Sequence, residues 1–512
     1  MKRRIIKSIV LLACLAVFAS CGQAQDADKK TSDKKTEESK TTETPEDLEK
    51  DSLARTGTMR DISSMELVKD MGVGWNLGDT LDVCEADRDG DGKVNETAGE
   101  GQKVDETLWG NPKATKELFE ALKEDGVQSV RIPVTWRDHL GDAPDYTVDP
   151  EWMDRVQEVV NYAYDLGMYV IINVHHDGGG DPAQGAWIRN ASHSHDEVME
   201  KYKKLWAQIA DRFKDYSDYL VFESMNEVGF DDMQMNQAYD LLLEFNQEFV
   251  DLVRGSGGNN ASRHLLIAGY WTDVDRCCNG MFQMPKDVVT HSILSVHYYT
   301  PWTFCTTDSA SQWGSEYEVE EMRGKVELLK TTYVDKGTPV IIGEYGVGPN
   351  ELNSCIFFCE MFVKLCTDAG IPTFFWDNGE FVDRTTYEWR DKGIIDGILR
   401  GASGKEYTPE KIEISASQIT DIRSEETGTL TVSWEPNAGV EEYEIAGYEV
   451  VIGTDPGCIR EKQTQTVGVG ENRCTFTDLP SGTEYYAHFR AYTTGNKPIH
   501  GDWSKAVSIK IQ

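Results

Sequence analysis

A closed (β/α)8 TIM barrel followed by a small all-β sandwich is the fold class this 512-residue sequence predicts, and three observations predict it. From about residue 60 to 400, short β-prone apolar runs alternate with amphipathic stretches, the pattern of parallel strands joined by helices. About eight such repeats occur over roughly 340 residues, the size of a closed eight-stranded barrel, whose active site lies at the C-terminal ends of the strands. After Gly404 the pattern changes to strand-period alternation broken by Gly, Pro and Asn turns.

The chain opens with "MKRRIIKSIVLLACLAVFASCGQ": a basic start, an apolar run from Ile5 to Phe18, then small residues before Cys21. That is the order of an export signal. The run falls short of the ~20 apolar residues a membrane span needs. "FASC" resembles a bacterial lipobox, although Phe18 stands where Leu is usual, and it implies that Cys21 is acylated and becomes the mature N-terminus. Residues 1–21 are therefore expected to be a lipoprotein signal peptide. Residues 22–54, rich in Lys, Glu, Asp, Thr and Ser, hold almost nothing to bury and read as a charged tether. The expected product is an exported cell-envelope lipoprotein, surface-exposed or periplasmic, that meets the membrane only through its lipid and is a monomer.

Residues 55–404 carry the barrel pattern. Its runs are "GVGWNLG" (72–78), "SVRIPV" (129–134), "YVIINVHHD" (169–177), "YLVFESMNE" (219–227), "HLLIAGYW" (264–271), "SILSVHYY" (292–299), "PVIIGEYG" (339–346) and "TFFWDNG" (373–379). Between them lie segments such as "PKATKELFEALKEDG", with its glycine stop. The ends of the runs are unusual. The third finishes on His175, His176 and Asp177, the fourth on Asn226 and Glu227, and the sixth on His297, Tyr298 and Tyr299. The seventh reaches Glu344 and the eighth ends Trp376-Asp377-Asn378, while the second places Arg131 near its mouth. Turn chemistry alone would supply Gly, Ser or Asp; six functional ends on one rim call for a reaction.

Composition narrows the partner. With 51 basic and 88 acidic residues the net charge is −37, which repels nucleic acid and is indifferent to neutral sugars. The eleven cysteines lack the paired spacing of a zinc site. Cys458 and Cys474 are close enough in sequence to bridge, and the sequence leaves their pairing open.

Two glutamates on the fourth and seventh strands of a barrel face each other across its mouth. Glycoside cleavage needs such a pair: one carboxyl protonates the leaving oxygen, and the other, at about 5–5.5 Å, attacks the sugar carbon and retains configuration. Glu227 is the expected acid/base, its pKa raised by burial beside a negative Glu344. Arg131 is expected to keep Glu344 ionised, Asn226 to bond the sugar 2-hydroxyl, Tyr299 to orient Glu344, and His297 to meet Glu227 or the sugar.

Together "GWNLGDTLD", "RIPVTW", "INVHHD", "FESMNE", "VHYYTPW", "IIGEYG" and "FFWDNG" resemble glycoside hydrolase family 5 over about residues 60–400. The resemblance implies Glu227 as acid/base and Glu344 as nucleophile. It implies Arg131, His175, Asn226, His297, Tyr299 and Trp376 as the surrounding substrate-binding shell, with Asn76 and His176 contacting sugars on the non-reducing side. With "ETLWGNP" (Glu106–Pro112), it looks most like the endo-β-1,4-glucanase branch, which includes enzymes for cellulose, xyloglucan and mixed-linkage glucan, and implies no cofactor for catalysis. One departure is Asp79, where relatives often carry Asn: an acceptor-only charge replaces an amide. Residues 410–512, with Trp434, "GYEVVI" and "LPSGTEYYAHFRAY", resemble an immunoglobulin-like fibronectin type III domain with Tyr485 as its corner tyrosine.

Aromatic rings pack on the C–H faces of sugars. Trp376 is expected to do so; Trp109, Trp136, Trp187 and Trp302 either join it or fill the core. "DRDGDGKVNETA" reproduces the start of an EF-hand loop, with Asp87, Asp89, Asp91 and Asn95 at ligand positions but Ala98 where the bidentate Glu belongs. It reads as a structural calcium site or as a bare acidic loop. His175 and His176, adjacent on a strand, point to opposite faces and make a poor zinc pair.

The reading that follows is a retaining endo-β-1,4-glucanase acting on a β-glucan. A β-mannanase or dedicated xyloglucanase on the same barrel is the alternative, and a non-catalytic surface glycan-binding lipoprotein the alternative of another class.

Overall fold

The architecture was analysed in a computed structural model. It describes residues 57–512 apart from 87–96, 100, 181, 183–184, 308–311, 405–413, 415–416, 438–444 and 494–499. Cys21 and the candidate calcium residues Asp87, Asp89, Asp91 and Asn95 lie outside the described residues.

Eight parallel strands close on themselves in sequence order. They are β1 (Val73–Leu77), β2 (Ser129–Ile132), β3 (Tyr169–Asn173), β4 (Leu220–Glu223), β5 (Leu265–Asp273), β6 (Ser292–Tyr298), β7 (Val340–Tyr345) and β8 (Thr373–Asp377). β1 seals the barrel by pairing with β2 (Gly74 opposite Ser129) and with β8 (Leu77 opposite Asp377). A helix, α1 (Ser64–Asp70), precedes β1. The crossovers carry α2 (Lys116–Glu124), α3 (Pro150–Tyr164), α4 (His195–Arg212), α5 (Met235–Gly255), α6 (Val274–Cys278), α7 (Trp302–Thr306), α8 (Glu316–Thr332) and α9 (Leu352–Asp368), and α10 (Lys392–Ala402) follows β8.

The runs are uniformly apolar because their strands are covered on both faces. Every residue of β1, β2, β3, β4 and β7 is buried. Helices have one buried stripe: α3 turns Trp152, Val156, Val159, Val160 and Ala163 inward. Its start is marked by Asp149, whose side chain accepts from Glu151 N, with Pro150 at the first turn.

The C-terminal part is a two-sheet sandwich, as its alternation predicts. β9 (Ile419–Arg423), β10 (Leu430–Trp434) and β13 (Arg473–Phe476) form one sheet. β11 (Ile445–Gly453), β12 (Gln463–Gly468), β14 (Glu484–Thr493) and β15 (Val507–Lys510) form the other. Trp434 fills its core, 5.3 Å from the ring of Tyr448 and 5.2 Å from that of Phe489. Tyr485 is buried as expected, but its hydroxyl donates to the Glu461 side chain (3.2 Å) rather than to the backbone. Cys458 and Cys474 are both free thiols: Cys458 packs with the barrel's core and Cys474 inside the sandwich, so they do not pair.

All described residues belong to one compact unit, Pro45–Gln512. The barrel's apolar cluster continues into the sandwich through Val451, Cys458, Ile459 and Trp503. Among the described residues, no helix is long and apolar enough to cross a membrane.

Candidate active site

The barrel strands deliver a polar layer to their C-terminal mouth, organised around Arg131. This guanidinium, fully buried, donates from Nε to Glu223 Oε2 (2.7 Å) and from Nη1 to Glu344 Oε1 (2.7 Å) and Asn76 Oδ1 (3.0 Å). Nη2 donates to Asn226 Oδ1 (2.8 Å). Four strands are thereby tied to one cation, and burial of the charge is offset by two carboxylates. Arg131 was expected to contact substrate; the structure corrects this, because it lies beneath the cleft and positions what does.

Asn76 needs the same correction. It is fully buried, and its Nδ2 donates to the carbonyls of Gly343 (3.0 Å) and Phe374 (3.1 Å) while its Oδ1 serves Arg131, so no sugar reaches it. Sequence reasoning missed Glu223, the second anchor of Arg131. Its Oε2 also accepts from Asn173 Nδ2 (3.0 Å) and its Oε1 from Ser295 Oγ (2.7 Å). The signal was present as a carboxylate inside the otherwise apolar run "YLVFES", which needs a buried partner.

Glu344 enters from β7. The β6–β7 register shifts between Val296 and His297, which sets His297 opposite Glu344 at the rim. Glu344 Oε1 is held by Arg131, and Oε2 accepts from the Tyr299 hydroxyl (3.0 Å). Glu227 follows β4 with φ 45°, a left-handed backbone that a non-glycine residue adopts at a cost and that recurs at functional sites. One oxygen of Glu227, one of Glu344 and a ring nitrogen of His297 all lie within 4.8 Å of one another.

His297 Nδ1 is 2.8 Å from Glu227 Oε1 and 3.5 Å from Glu344 Oε2. Its Nε2 is buried without a hydrogen-bond partner among the described residues. A hydrogen on Nε2 would be a buried donor with no acceptor, so the arrangement favours the tautomer in which Nδ1 donates to Glu227. Burial alone would raise the Glu227 carboxyl, but the hydrogen bond from His297 and the positive charge of Arg131 outweigh it and draw it below its ordinary value. Burial, with the negative charge of Glu227 adding to it, holds Glu344 above its ordinary value against the pull of Arg131. This reverses the order expected from the sequence. The reason is the partners of two carboxyls that burial raises alike: His297 Nδ1 bonds Glu227 at 2.8 Å and stands 3.5 Å from Glu344, which also feels the negative charge of Glu227.

His175 is buried, and burial drives its pKa well down. Its Nδ1 accepts from Asn173 Nδ2 (3.1 Å), and its ring lies parallel to Trp376, 5.9 Å away. His176 sits beside it and joins the cleft lining. Asp82 can approach both histidines, yet its side chain already caps the loop after β1, accepting from Thr80 N (2.8 Å) and Asp79 N (3.2 Å). Burial, with the neighbouring charge of Asp79 second, pushes Asp82 up to about 7. Asp79, where an amide would carry no charge, adds to the effect of burial.

The cleft runs across the mouth as three adjoining hollows. The central one, about 650 Å³, is lined by His175, Asn226, Glu227, Tyr299, Glu344 and Trp376. On one side lies a hollow of about 320 Å³ lined by Glu227, Trp271, Asp273 and Trp302. On the other lies one of about 570 Å³ lined by Asp79, Trp109, Asn378 and Glu380. Trp376, Trp302 and Trp109 therefore face the cleft. Trp136 and Trp187 are core residues: Trp136 Nε1 donates to Asn173 O (3.0 Å) and Trp187 Nε1 to Asp177 Oδ1 (2.6 Å).

The family model described as cellulase (glycosyl hydrolase family 5) matches residues 90–382, and that of the fibronectin type III domain matches residues 416–509. Endoglucanase A of Ruminococcus albus is 38% identical over 382 residues, covering 68% of this chain and 96% of its own. The xyloglucan-specific endo-beta-1,4-glucanase of Bacteroides ovatus is 35% identical over 374 residues, covering 67% and 71%. A cellulase/esterase of Acetivibrio thermocellus is 38% identical over 363 residues, and there the match spans only 41% of that protein's length. Among solved structures, a Bacteroides ovatus family 5 xyloglucanase in complex with a XXXG heptasaccharide superposes with a TM-score of 0.60 at 33% identity, covering 67% of this chain and 78% of that one. A broad-specificity endoglucanase from Bacteroides salanitronis does so with a TM-score of 0.60 at 34% identity, covering 68% and 97%.

Proposed function

The chain belongs to glycosyl hydrolase family 5, and from that premise we propose that it is a retaining, endo-acting β-1,4-glucanase with Glu344 as nucleophile and Glu227 as acid/base. The observation that carries this reading is the approach of the two carboxyls to within 4.8 Å at the barrel mouth. That is near the ~5–5.5 Å of retaining pairs and leaves no room for the water that inverting enzymes place between carboxyls ~6.5–9.5 Å apart.

The roles follow from the surroundings. Glu344, fixed by Arg131 and Tyr299, has one orientation and attacks the anomeric carbon as the bond to the leaving sugar breaks. Glu227, open to the cleft, gives its proton to the departing oxygen. It then takes one from the water that cleaves the glycosyl–Glu344 bond. A bound sugar completes the burial of Glu227, which raises its pKa and brings it the proton that the free site withholds. Asn226 offers its amide to the sugar 2-hydroxyl, since its Oδ1 is committed to Arg131.

Two features support an internal cut in a β-glucan, xyloglucan among the candidates. The cleft continues on both sides of the carboxyl pair, and the relatives are named as endoglucanases and a xyloglucan-specific glucanase. The test is Glu344→Gln: turnover of barley glucan should fall by about 10³-fold or more, while calorimetry still finds cello-oligosaccharide binding. Near-native turnover would reject the assigned roles. We also place the enzyme at the cell envelope through acylated Cys21, on the strength of the signal-like opening. Cys21→Ser should move the protein from the membrane fraction to the soluble one, and unchanged fractionation would reject the anchor.

A further inference from the structure

The hollow beyond Trp376 is not built by the barrel alone. Between β11 and β12 the sandwich projects a loop, Thr454–Lys462, over the barrel rim, and its Arg460 lines both the central hollow and the outer one. Arg460 Nη2 lies 2.7 Å from Glu380 Oε1 on the loop after β8; their side chains are 44% and 26% exposed, so the pair is partly open to the cleft.

The loop is held for this position. Buried Asp455 accepts through Oδ1 from Gly457 N (3.0 Å) and Ile459 N (3.1 Å), and through Oδ2 from Arg460 N (2.5 Å). Gly453, at its base, has no room for a side chain: a Cβ would stand 2.6 Å from Cys458 Cα and 2.8 Å from Arg460 O. At its tip Gly457 N also approaches Pro349 O (3.0 Å), on the loop that follows Glu344's strand. Beyond the cleft, Lys462 Nζ reaches Asp391 Oδ2 (3.3 Å).

We propose that this loop is a wall of the glucan cleft and that Arg460, from the C-terminal domain, is a specificity-determining residue that binds hydroxyls of a sugar unit beyond Trp376. A guanidinium offers five N–H donors in a fixed fork; the Glu380 contact occupies part of that fork and orients the rest. The side of the chain also follows. The opposite hollow is lined by Glu227 without Glu344, so the leaving sugar departs that way and Arg460 sits on the glycone side. The inference rests on the hydrolase reading above and adds a subsite supplied by the second domain.

The test uses the full chain with Arg460→Ala, Arg460→Lys and, as a seam contact outside the cleft, Lys462→Ala. Removing a charged hydrogen bond that holds substrate and transition state equally raises KM and leaves kcat alone. Arg460→Ala should raise KM for cellohexaose about tenfold, with kcat and all constants on an aryl β-glucoside, which places a single sugar unit on the glycone side, within about twofold. Arg460→Lys should recover part of the loss, and Lys462→Ala should leave both substrates within about twofold. Unchanged KM for cellohexaose overturns the proposal. So does an equal loss on both substrates, the mark of a displaced domain. Calorimetry of cellohexaose into Glu344→Gln, with and without Arg460→Ala, makes the same comparison without turnover. A roughly tenfold weaker affinity there supports the loop's role even if the hydrolytic roles are wrong, and equal affinities reject it.

Discussion

Glu227 and Glu344 differ less in chemistry than in what surrounds them. Glu227 takes its hydrogen bond from His297 Nδ1 at 2.8 Å, whereas the same nitrogen is 3.5 Å from Glu344. That bond favours the Glu227 anion, so removing it by His297→Ala should make the carboxyl hold its proton to higher pH. Glu344, whose pKa the histidine also lowers, moves the same way by less. Both limbs of the pH profile of kcat, which reports the sugar-bound site where Glu227 carries the proton, should therefore shift upward, the alkaline limb further, as read on a soluble β-glucan. An alkaline limb that stays or moves down would contradict the hydrogen bond's role. The sequence named both glutamates and the histidine but not the order of proton affinities. That order depends on which carboxyl His297 bonds and on the charge each lends the other, which no residue pattern encodes.

Most barrel strands deliver a functional residue to the mouth, and register decides where that residue points. The runs of the sequence located all eight strands because a barrel strand buried on both faces is apolar throughout and ends abruptly in polar residues. Close packing at the rim was not legible. Gly78, after β1, lies against the Trp376 indole, and a Cβ there would come within 2.7 Å of Cζ2 and 3.0 Å of Asp377 O. Gly78→Ala should tilt the indole and lower kcat/KM roughly 10- to 100-fold, with the far-UV circular dichroism of the native fold. Activity within twofold would mean that the ring position is not critical. Asn111 works at the same joint, donating from Nδ2 to the carbonyls of Asp79 and Asn378, 2.9 Å each, and so tying the loops after β1 and β8.

Barrel and sandwich share an apolar seam, in which Ile459, 2% exposed, packs with the barrel's core. Burying an unpaired charge there costs several kcal/mol. Calorimetry of the native chain should give one cooperative unfolding transition, and Ile459→Asp should split it into two, with the barrel melting near its original temperature. An unsplit transition at the native temperature would show that the seam carries little energy. The cleft inherits this coupling, because the loop bearing Arg460 is anchored on the same seam.

The sequence by itself determined the barrel, the sandwich and which two carboxyls meet at the mouth, since burial on both faces, strand alternation and polar strand ends are properties of neighbouring residues. Tertiary structure alone decided that Arg131 and Asn76 lie under the cleft, that Glu223 anchors Arg131, and that a residue some 230 positions beyond Glu227 stands beside the catalytic hollow. These are contacts between distant segments, fixed by how the strands close into a barrel and how the second domain seats on it, and neither closure nor seating has a local signature.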